Sequence, residues 1–220
     1  MTEDFYASFD SSLSTDIPSA VPPDTITRMG VDNTSYIVGG GSLTCTHASQ
    51  SGLLIWDGSF SATHRNVGQI VFWHRAPQSG GNARVDYSRP ASDAEIELRR
   101  FINSPAGYNS YNLTMRNALG GPVISVTGTL ASLSSNWQRI RLLWRWNDPS
   151  GYTALYQDDE LVILSTLGNT QTRALGVVNT RVILGLSPDG NMDEFYVWDS
   201  LAPRKLTLGA PLGVPNTLGR

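Results

Sequence analysis

The sequence predicts an all-β protein built as two antiparallel sheets packed face to face. Three observations carry this expectation. Short apolar runs recur between clusters of Gly, Pro, Asn and Asp, at least one run alternates strictly between apolar and polar residues, and no stretch has the 3.6-residue period of a helix. The 21 glycines and 12 prolines supply most of the punctuation.

Taken in order, residues 5–9 are expected to form an edge strand, and 11–28, with Pro18, Pro22 and Pro23, to cross the surface as irregular chain. Within 69–75 the run Ile70, Val71, Phe72, Trp73 is apolar on both parities, as a central strand covered on both faces requires. Further strands are predicted over 95–102, 111–116 and 123–129. Over 139–146 the alternation is strict: Ile140, Leu142, Trp144 and Trp146 point one way, Arg139, Arg141 and Arg145 the other. One face of that strand is therefore core and the other is not. Strands over 152–156, 161–164, 181–186 and 192–198 complete the set. Ser104-Pro105, Gly120-Gly121-Pro122, Asp148-Pro149-Ser150-Gly151 and Ser187-Pro188-Asp189-Gly190 mark turns between them. So many short strands in one domain fit a barrel or a two-sheet antiparallel sandwich of jelly-roll type, and the sandwich is the expectation here. It spans residues 1–202, and the Leu/Gly/Pro-rich stretch 203–220 is expected to form an extended C-terminal arm.

Composition excludes several functions. A net charge of -3 supplies no basic field for sequence-independent nucleic-acid binding. No apolar run approaches the roughly 18 residues of a membrane-spanning helix, and the acidic, Ser-rich start lacks the pattern of an export signal. The single cysteine, Cys45, forms no internal disulfide, and no Cys/His cluster surrounds it to hold zinc.

The second half has a recognisable layout. Trp137 leads the strand Gln138-Arg139-Ile140-Arg141-Leu142, a hairpin follows through Tyr156-Gln157-Asp158-Asp159-Glu160-Leu161-Val162, then Arg181-Val182-Ile183-Leu184-Gly185, and the chain closes on Gly190-Asn191-Met192-Asp193-Glu194-Phe195-Tyr196-Val197-Trp198. This resembles the concanavalin A-like, laminin-G-like jelly-roll superfamily, with a looser match in Gly39-Gly40-Gly41-Ser42-Leu43 and Phe72-Trp73-His74-Arg75. At the hairpin the family's turn glycine is replaced by Asp159, so a longer loop is expected there.

In several relatives the aspartate equivalent to Asp193 ligates a structural Ca²⁺, so the resemblance brings one candidate cofactor; since no acidic cluster accompanies this residue, the expectation is no cofactor, with the carboxylate accepting backbone N–H or hydroxyl bonds instead. Parity with Phe195 and Val197 carries this carboxylate inward, where donors or a cation must match it. The related glycanases carry E-x-D-x-x-E. Here Glu95-Ile96-Glu97 continues into Leu98-Arg99-Arg100, so the third acid is absent and Glu/Arg pairing on a solvated strand is the expectation. His47, His64 and His74 have no metal-binding spacing, and no Gly-x-Ser-x-Gly elbow seats a nucleophile. No catalytic residue is assigned. Two glycan-binding candidates remain. The Arg139, Arg141, Arg145 stripe suits an acidic glycan, set against pairing with Glu95, Glu97 or Asp158, and a loop around Tyr108, Asn109 and Tyr111 offers aromatic platforms beside an amide.

Relatives of this superfamily mostly work outside cells, whereas this chain shows neither export signal nor disulfide. Assembly into a particle released by lysis resolves the conflict. The expectation is a non-enzymatic virion component of a tailed bacteriophage, a capsid decoration or tail appendage. Its partners would be neighbouring virion subunits or further copies, held through the terminal arms, and surface polysaccharide, without nucleic acid or membrane insertion. A standalone carbohydrate-binding module is the alternative, and a divergent polysaccharide hydrolase or lyase the third reading.

Overall fold

The computed structural model describes residues 3–18, 20–75, 81–88, 95–103, 108–130, 136–167, 171–173 and 175–198. The expected arm at 203–220 lies outside them. The described residues contain fifteen strands: β1 (Glu3–Ala7), β2 (Thr25–Thr27), β3 (Met29–Asp32), β4 (Ser42–Cys45), β5 (Gly52–His64), β6 (Val67–Arg75), β7 (Gly81–Ser88), β8 (Ile96–Asn103), β9 (Tyr108–Arg116), β10 (Pro122–Leu130), β11 (Gln138–Arg145), β12 (Tyr152–Gln157), β13 (Glu160–Ser165), β14 (Gly176–Leu186) and β15 (Asn191–Trp198). They form an eight-stranded sheet, β13-β12-β11-β6-β15-β4-β3 with β1 also on β15, and a seven-stranded sheet, β10-β9-β8-β7-β14-β5-β2. Every pairing is antiparallel, and no helix occurs among the described residues. The predicted all-β, two-sheet sandwich is the observed one.

The inner faces follow from alternation. Ile140, Leu142 and Trp144 of β11 are buried against residues such as Val85, Leu98, Leu113 and Val182 of the opposite sheet, all in one continuous apolar core. Full burial of a tryptophan requires a partner for its N–H. Trp56 donates to the Val21 carbonyl at 3.1 Å, Trp144 to the Arg65 carbonyl at 3.1 Å, and Trp146 to Thr153 Oγ1 at 2.9 Å. As predicted, β6 is central, lying between β11 and β15.

Three expectations are corrected. The strands β2, β3, β4, β5 and β7 were not anticipated, and β2 lies inside the stretch 11–28 expected to be irregular. The β12–β13 hairpin is not lengthened. Gln157 pairs Glu160 across a two-residue turn, with Asp158 and Asp159 both at positive φ, 49° and 69°. That is the geometry of a tight type I′ turn, and its two carboxylates are secured by arginine. The third concerns β15, where the register shifts between Asp193 and Tyr196 and Glu194 sits at φ 51°. This bulge resets the alternation, so Met192 rather than Asp193 shares the core face with Phe195 and Val197.

The same bulge divides the edge of β15: residues 191–192 pair with β4 and residues 195–198 with β1. Opposite, the indole of Trp144 lies over Gly68, where a Cβ would also come within 2.6 Å of the Trp198 carbonyl oxygen. Gly68→Ala is therefore expected to destabilise the fold by about 1–3 kcal/mol. Urea unfolding of the two proteins checks this; equal midpoints would remove the contact from the account.

Candidate functional site

The described residues offer two sheet faces to solvent, and the predicted site residues divide between them and the interior. On the eight-stranded face Arg139 and Arg141 both reach Asp159, the latter at 3.5 Å, and Arg145 reaches Asp148 at 2.7 Å. The Arg139 backbone N–H also donates to Asp158 Oδ1 at 2.8 Å, and Arg141 stacks over the Tyr156 ring at 4.9 Å. The stripe exists, but its charge is committed to two turns. Pairing with Glu95 or Glu97 is corrected to Asp159 and Asp148, because both glutamates belong to the other sheet's side of the molecule.

Asn109 and Tyr111 do not form a surface loop. They lie on the inward parity of β9, with no exposure, and Tyr108 enters β9 with its side chain outside the described atoms. Gln157 Oε1 accepts from the Tyr111 hydroxyl and from Asn109 Nδ2 at 3.0 Å. Arg100, also buried, donates to Gln138 and, at 2.8 Å, to His74 Nδ1. Burial, reinforced by this guanidinium, holds His74 well below the usual histidine range. The cluster joins the two sheets from within and presents no stacking surface for a sugar.

Asp193 is fully buried. Its Oδ2 accepts the backbone N–H groups of Ile37 at 2.7 Å and Val38 at 3.2 Å, and Oδ1 accepts that of Glu194 at 2.8 Å. Calcium needs oxygen ligands, yet both carboxylate oxygens face N–H hydrogens, and the described residues contain no metal-suited group of three or more His, Cys, Asp or Glu. These partners do not fit a Ca²⁺ ligand. They fit a latch that ties the 33–41 segment into the gap between β4 and β1.

Catalytic arrangements are similarly occupied. Glu95 turns inward before β8, its Oε2 lying 3.1 Å from both His64 Nδ1 and Arg173 Nη2. Thr180 Oγ1 stands 3.3 Å from His64 Nε2, an order that superficially matches a nucleophile, base and acid. However, this hydroxyl has no exposure, accepts the Ala62 N–H and lies 3.1 Å from the Val178 carbonyl, so no substrate atom can approach it.

The open site is the outer face of the seven-stranded sheet. Inward Ala83, Val85 and Tyr87 on β7 force Arg84 and Asp86 outward, and the same logic exposes Glu97 and Arg99 on β8, Asn112 and Thr114 on β9, and Ser125 and Thr127 on β10. Antiparallel register aligns these into two cross-strand rows. One runs Leu53, Gly185, Arg84, Arg99, Asn112, Thr127; the other runs Ile55, Ile183, Asp86, Glu97, Thr114, Ser125. Five strand intervals make each row about 24 Å long.

Two adjoining depressions follow the rows. One, about 390 Å³, is lined by Glu97, Arg99, Asn112, Thr114, Ser125 and Thr127 among others. The second, about 250 Å³, is bordered by Leu53, Asn82, Arg84, Arg99, Phe101 and Ser187, with Gly185 in its lining. Arg99 borders both. Asp86 is clasped at both oxygens by Arg84, while Glu97 pairs with Arg99. Burial, aided by the facing Glu97, raises Asp86 above the usual carboxylate range against the pull of Arg84.

Of these residues, sequence reasoning weighed Glu97 and its neighbour Arg99 for chemistry, without placing them in a groove. The alternation Ala83, Val85, Tyr87 against Arg84, Asp86 was the available signal for β7.

No family model matches the chain, and no curated protein matches it. Among solved structures, the carbohydrate recognition domain of Emp47p superposes with a TM-score of 0.55 at 10% identity, over 91% of this chain and 97% of that one. The Crh5 transglycosylase in complex with NAG gives 0.49 at 12% identity, over 90% and 84%. A heptameric SAP-like pentraxin from Limulus polyphemus gives 0.47 at 11%, over 81% and 76%. The fold is the concanavalin A-like jelly roll, as the sequence resemblance implied.

Burial drives Asp193 up to about 7 from 3.8, despite its three amide donors. A carboxyl whose pKa is higher in the folded state stabilises most below its unfolded value, and that contribution is lost as pH rises through the folded one. His74 titrates in the opposite sense, since its depressed pKa withdraws stability below its ordinary value. The difference in unfolding free energy between wild type and Asp193→Asn isolates the carboxyl, and it should shrink as pH rises from about 4 to about 7. Denaturant titrations across that range check this; a constant difference would remove the linkage.

Proposed function

We propose that this chain is a non-catalytic glycan-binding module whose binding face is the outer surface of the seven-stranded sheet. The observation that carries the reading is the pair of cross-strand rows, in which amide, hydroxyl and guanidinium groups line two adjoining depressions that meet at Arg99, beside the apolar Leu53 and Phe101. Sugar rings need directional hydrogen bonds in the plane of the ring and apolar contact on its face, and this groove offers both. The printed name of the Emp47p domain, a carbohydrate recognition domain of the same fold, supports the reading. Its non-catalytic character is supported by the carboxylates of the face, since Asp86 is locked by Arg84 and Glu97 is paired to Arg99. General acid–base work on a glycosidic bond needs a carboxyl free to exchange a proton with the substrate.

The setting we propose is a tailed-bacteriophage particle, with residues 203–220 gripping neighbouring subunits or further copies while the groove meets surface polysaccharide. Support for it is the Leu/Gly/Pro composition of that stretch. Removing residues 203–220 should lower the assembly state seen by light scattering, and unchanged assembly would sink this part.

Glycan-array screening followed by calorimetry tests the groove itself. Asn112→Ala and Thr127→Ala should each weaken binding by roughly 2- to 10-fold, as loss of one hydrogen bond implies, while Arg139→Ala on the other sheet leaves affinity unchanged. Equal losses at Arg139 would move the site. Release of new reducing ends from a bound polysaccharide, abolished by Glu97→Gln, would make the protein an enzyme instead.

A further inference from the structure

The two ends of the groove differ in charge. The larger end carries one acid and one base, Glu97 and Arg99, among hydroxyls and an amide. Among the described residues, the apolar end is bordered by two charged side chains, Arg84 and Arg99, and by no carboxylate. Register places these arginines directly opposite each other on β7 and β8, and it likewise places Asp86 opposite Glu97. Like charges directly across a strand pair cost stability, and the two ion pairs that relieve this run along each strand instead of across the pair. Asp86 takes Nε and Nη2 of Arg84, and Glu97 takes Nη2 of Arg99. Each guanidinium therefore keeps a further edge. The side chains remain 38% and 45% exposed beside the depression.

Three other features complete the end. Gly185 lies beside Arg84 in the same row, and a Cβ there would approach Leu53 Cδ2 to 3.1 Å and Arg84 Cβ to 3.3 Å, so glycine keeps the floor low. Phe101 and Leu53 supply apolar walls. The Ser187 hydroxyl, which accepts the Asn82 N–H at 3.0 Å, retains its own proton to donate.

We propose that this end of the groove takes the carboxylate of a uronic-acid-bearing glycan between Arg84 and Arg99, with the sugar ring against Phe101 and Leu53. The inference rests on the glycan-binding reading and narrows it to an acidic ligand class. A planar carboxylate matches the guanidinium fork, and its negative charge removes the repulsion between the paired arginines. The larger end then receives the next residues of the chain through Asn112, Thr127 and Ser125, which carry no charge.

A matched panel tests it: galacturonate, mannuronate and glucuronate tetramers, their neutral galactose, mannose and glucose counterparts, and sulfated versions of the neutral set, each titrated calorimetrically at fixed ionic strength. At least one uronate tetramer should bind about tenfold or more tightly than its neutral counterpart. Arg99→Gln should erase that preference while leaving the weaker neutral binding in place. Arg84→Gln should do the same, and circular dichroism of that variant reports whether it folds once Asp86 has lost its partner. If Arg84→Gln fails to fold, Arg99→Gln alone decides. Neutral binding that depends on Asn112, with no uronate preference, would overturn this inference and leave the glycan-binding reading standing. Tighter binding of the sulfated set would overturn the carboxylate assignment. Absence of binding across the panel and the wider array would sink both.

Discussion

Every property of the groove descends from the face behind it. A strand in a two-layer sandwich gives alternate residues to the shared core, and once that choice is made the remaining residues are exposed in a fixed order. On β7 through β10 the inner set includes Ala83, Val85, Ile96, Leu98, Leu113, Met115 and Ile124, all buried. Burying such side chains is worth roughly 1.5–3 kcal/mol each for the larger ones. A one-residue slip would forfeit that along a whole strand and turn the polar row inward. Register on this outer face is thus secured by apolar burial on the opposite face, and the row of Arg84, Arg99, Asn112 and Thr127 stays aligned although 43 positions of chain separate its ends.

The interior is not uniformly apolar, and its polar members explain why the sheets meet in one way. Arg100 reaches across from β8 to His74 on β6 and Gln138 on β11, while Gln157 on β12 gathers Asn109 and Tyr111 from β9. At the other end Glu95 binds His64 and Arg173. Buried charges of this kind seldom add net stability, because desolvation offsets much of the attraction. They do penalise any alternative packing in which a partner is lost. The Asp193 latch acts in the same manner on the 33–41 segment, so three separate polar contacts fix how loops and sheets are placed around an otherwise non-directional core.

The contrast between elements that were legible and those that were not has a physical basis. The strand at β11 was plain because Ile140, Leu142, Trp144 and the intervening arginines mark both faces without interruption. The longest strand, β5, was hidden by its own irregularity: Gly58 sits at φ 82°, the register shifts beside it, and alternation fails across the shift. A bulge also misled the reading of Asp193, since parity counted along a sequence assumes an unbroken pleat. Asn109 and Tyr111 were assigned to the surface by residue type, whereas a buried Gln157 on β12 of the other sheet provides their partner. The site was the least legible part. Its residues come from β5, β7, β8, β9, β10 and β14, and only sheet register brings them together.

The fold presents arginines on both outer faces, yet the two sets are not equivalent. Arg139 and Arg141 converge on Asp159, and Arg145 closes on Asp148, so their charge holds two turns in strained or tight backbone and leaves little for an incoming anion. Arg84 and Arg99 also have carboxylate partners, but those partners lie on their own strands and outside the apolar depression, whose border is left cationic. The molecule as a whole carries -3, a field that repels an acidic polymer at long range. Screening confines that repulsion to about 8 Å at physiological ionic strength. Within that distance the local pair of guanidinium groups outweighs the net charge, so the proposed recognition of an acidic chain by this face is a short-range event governed by fit, without long-range attraction to bring the partners together.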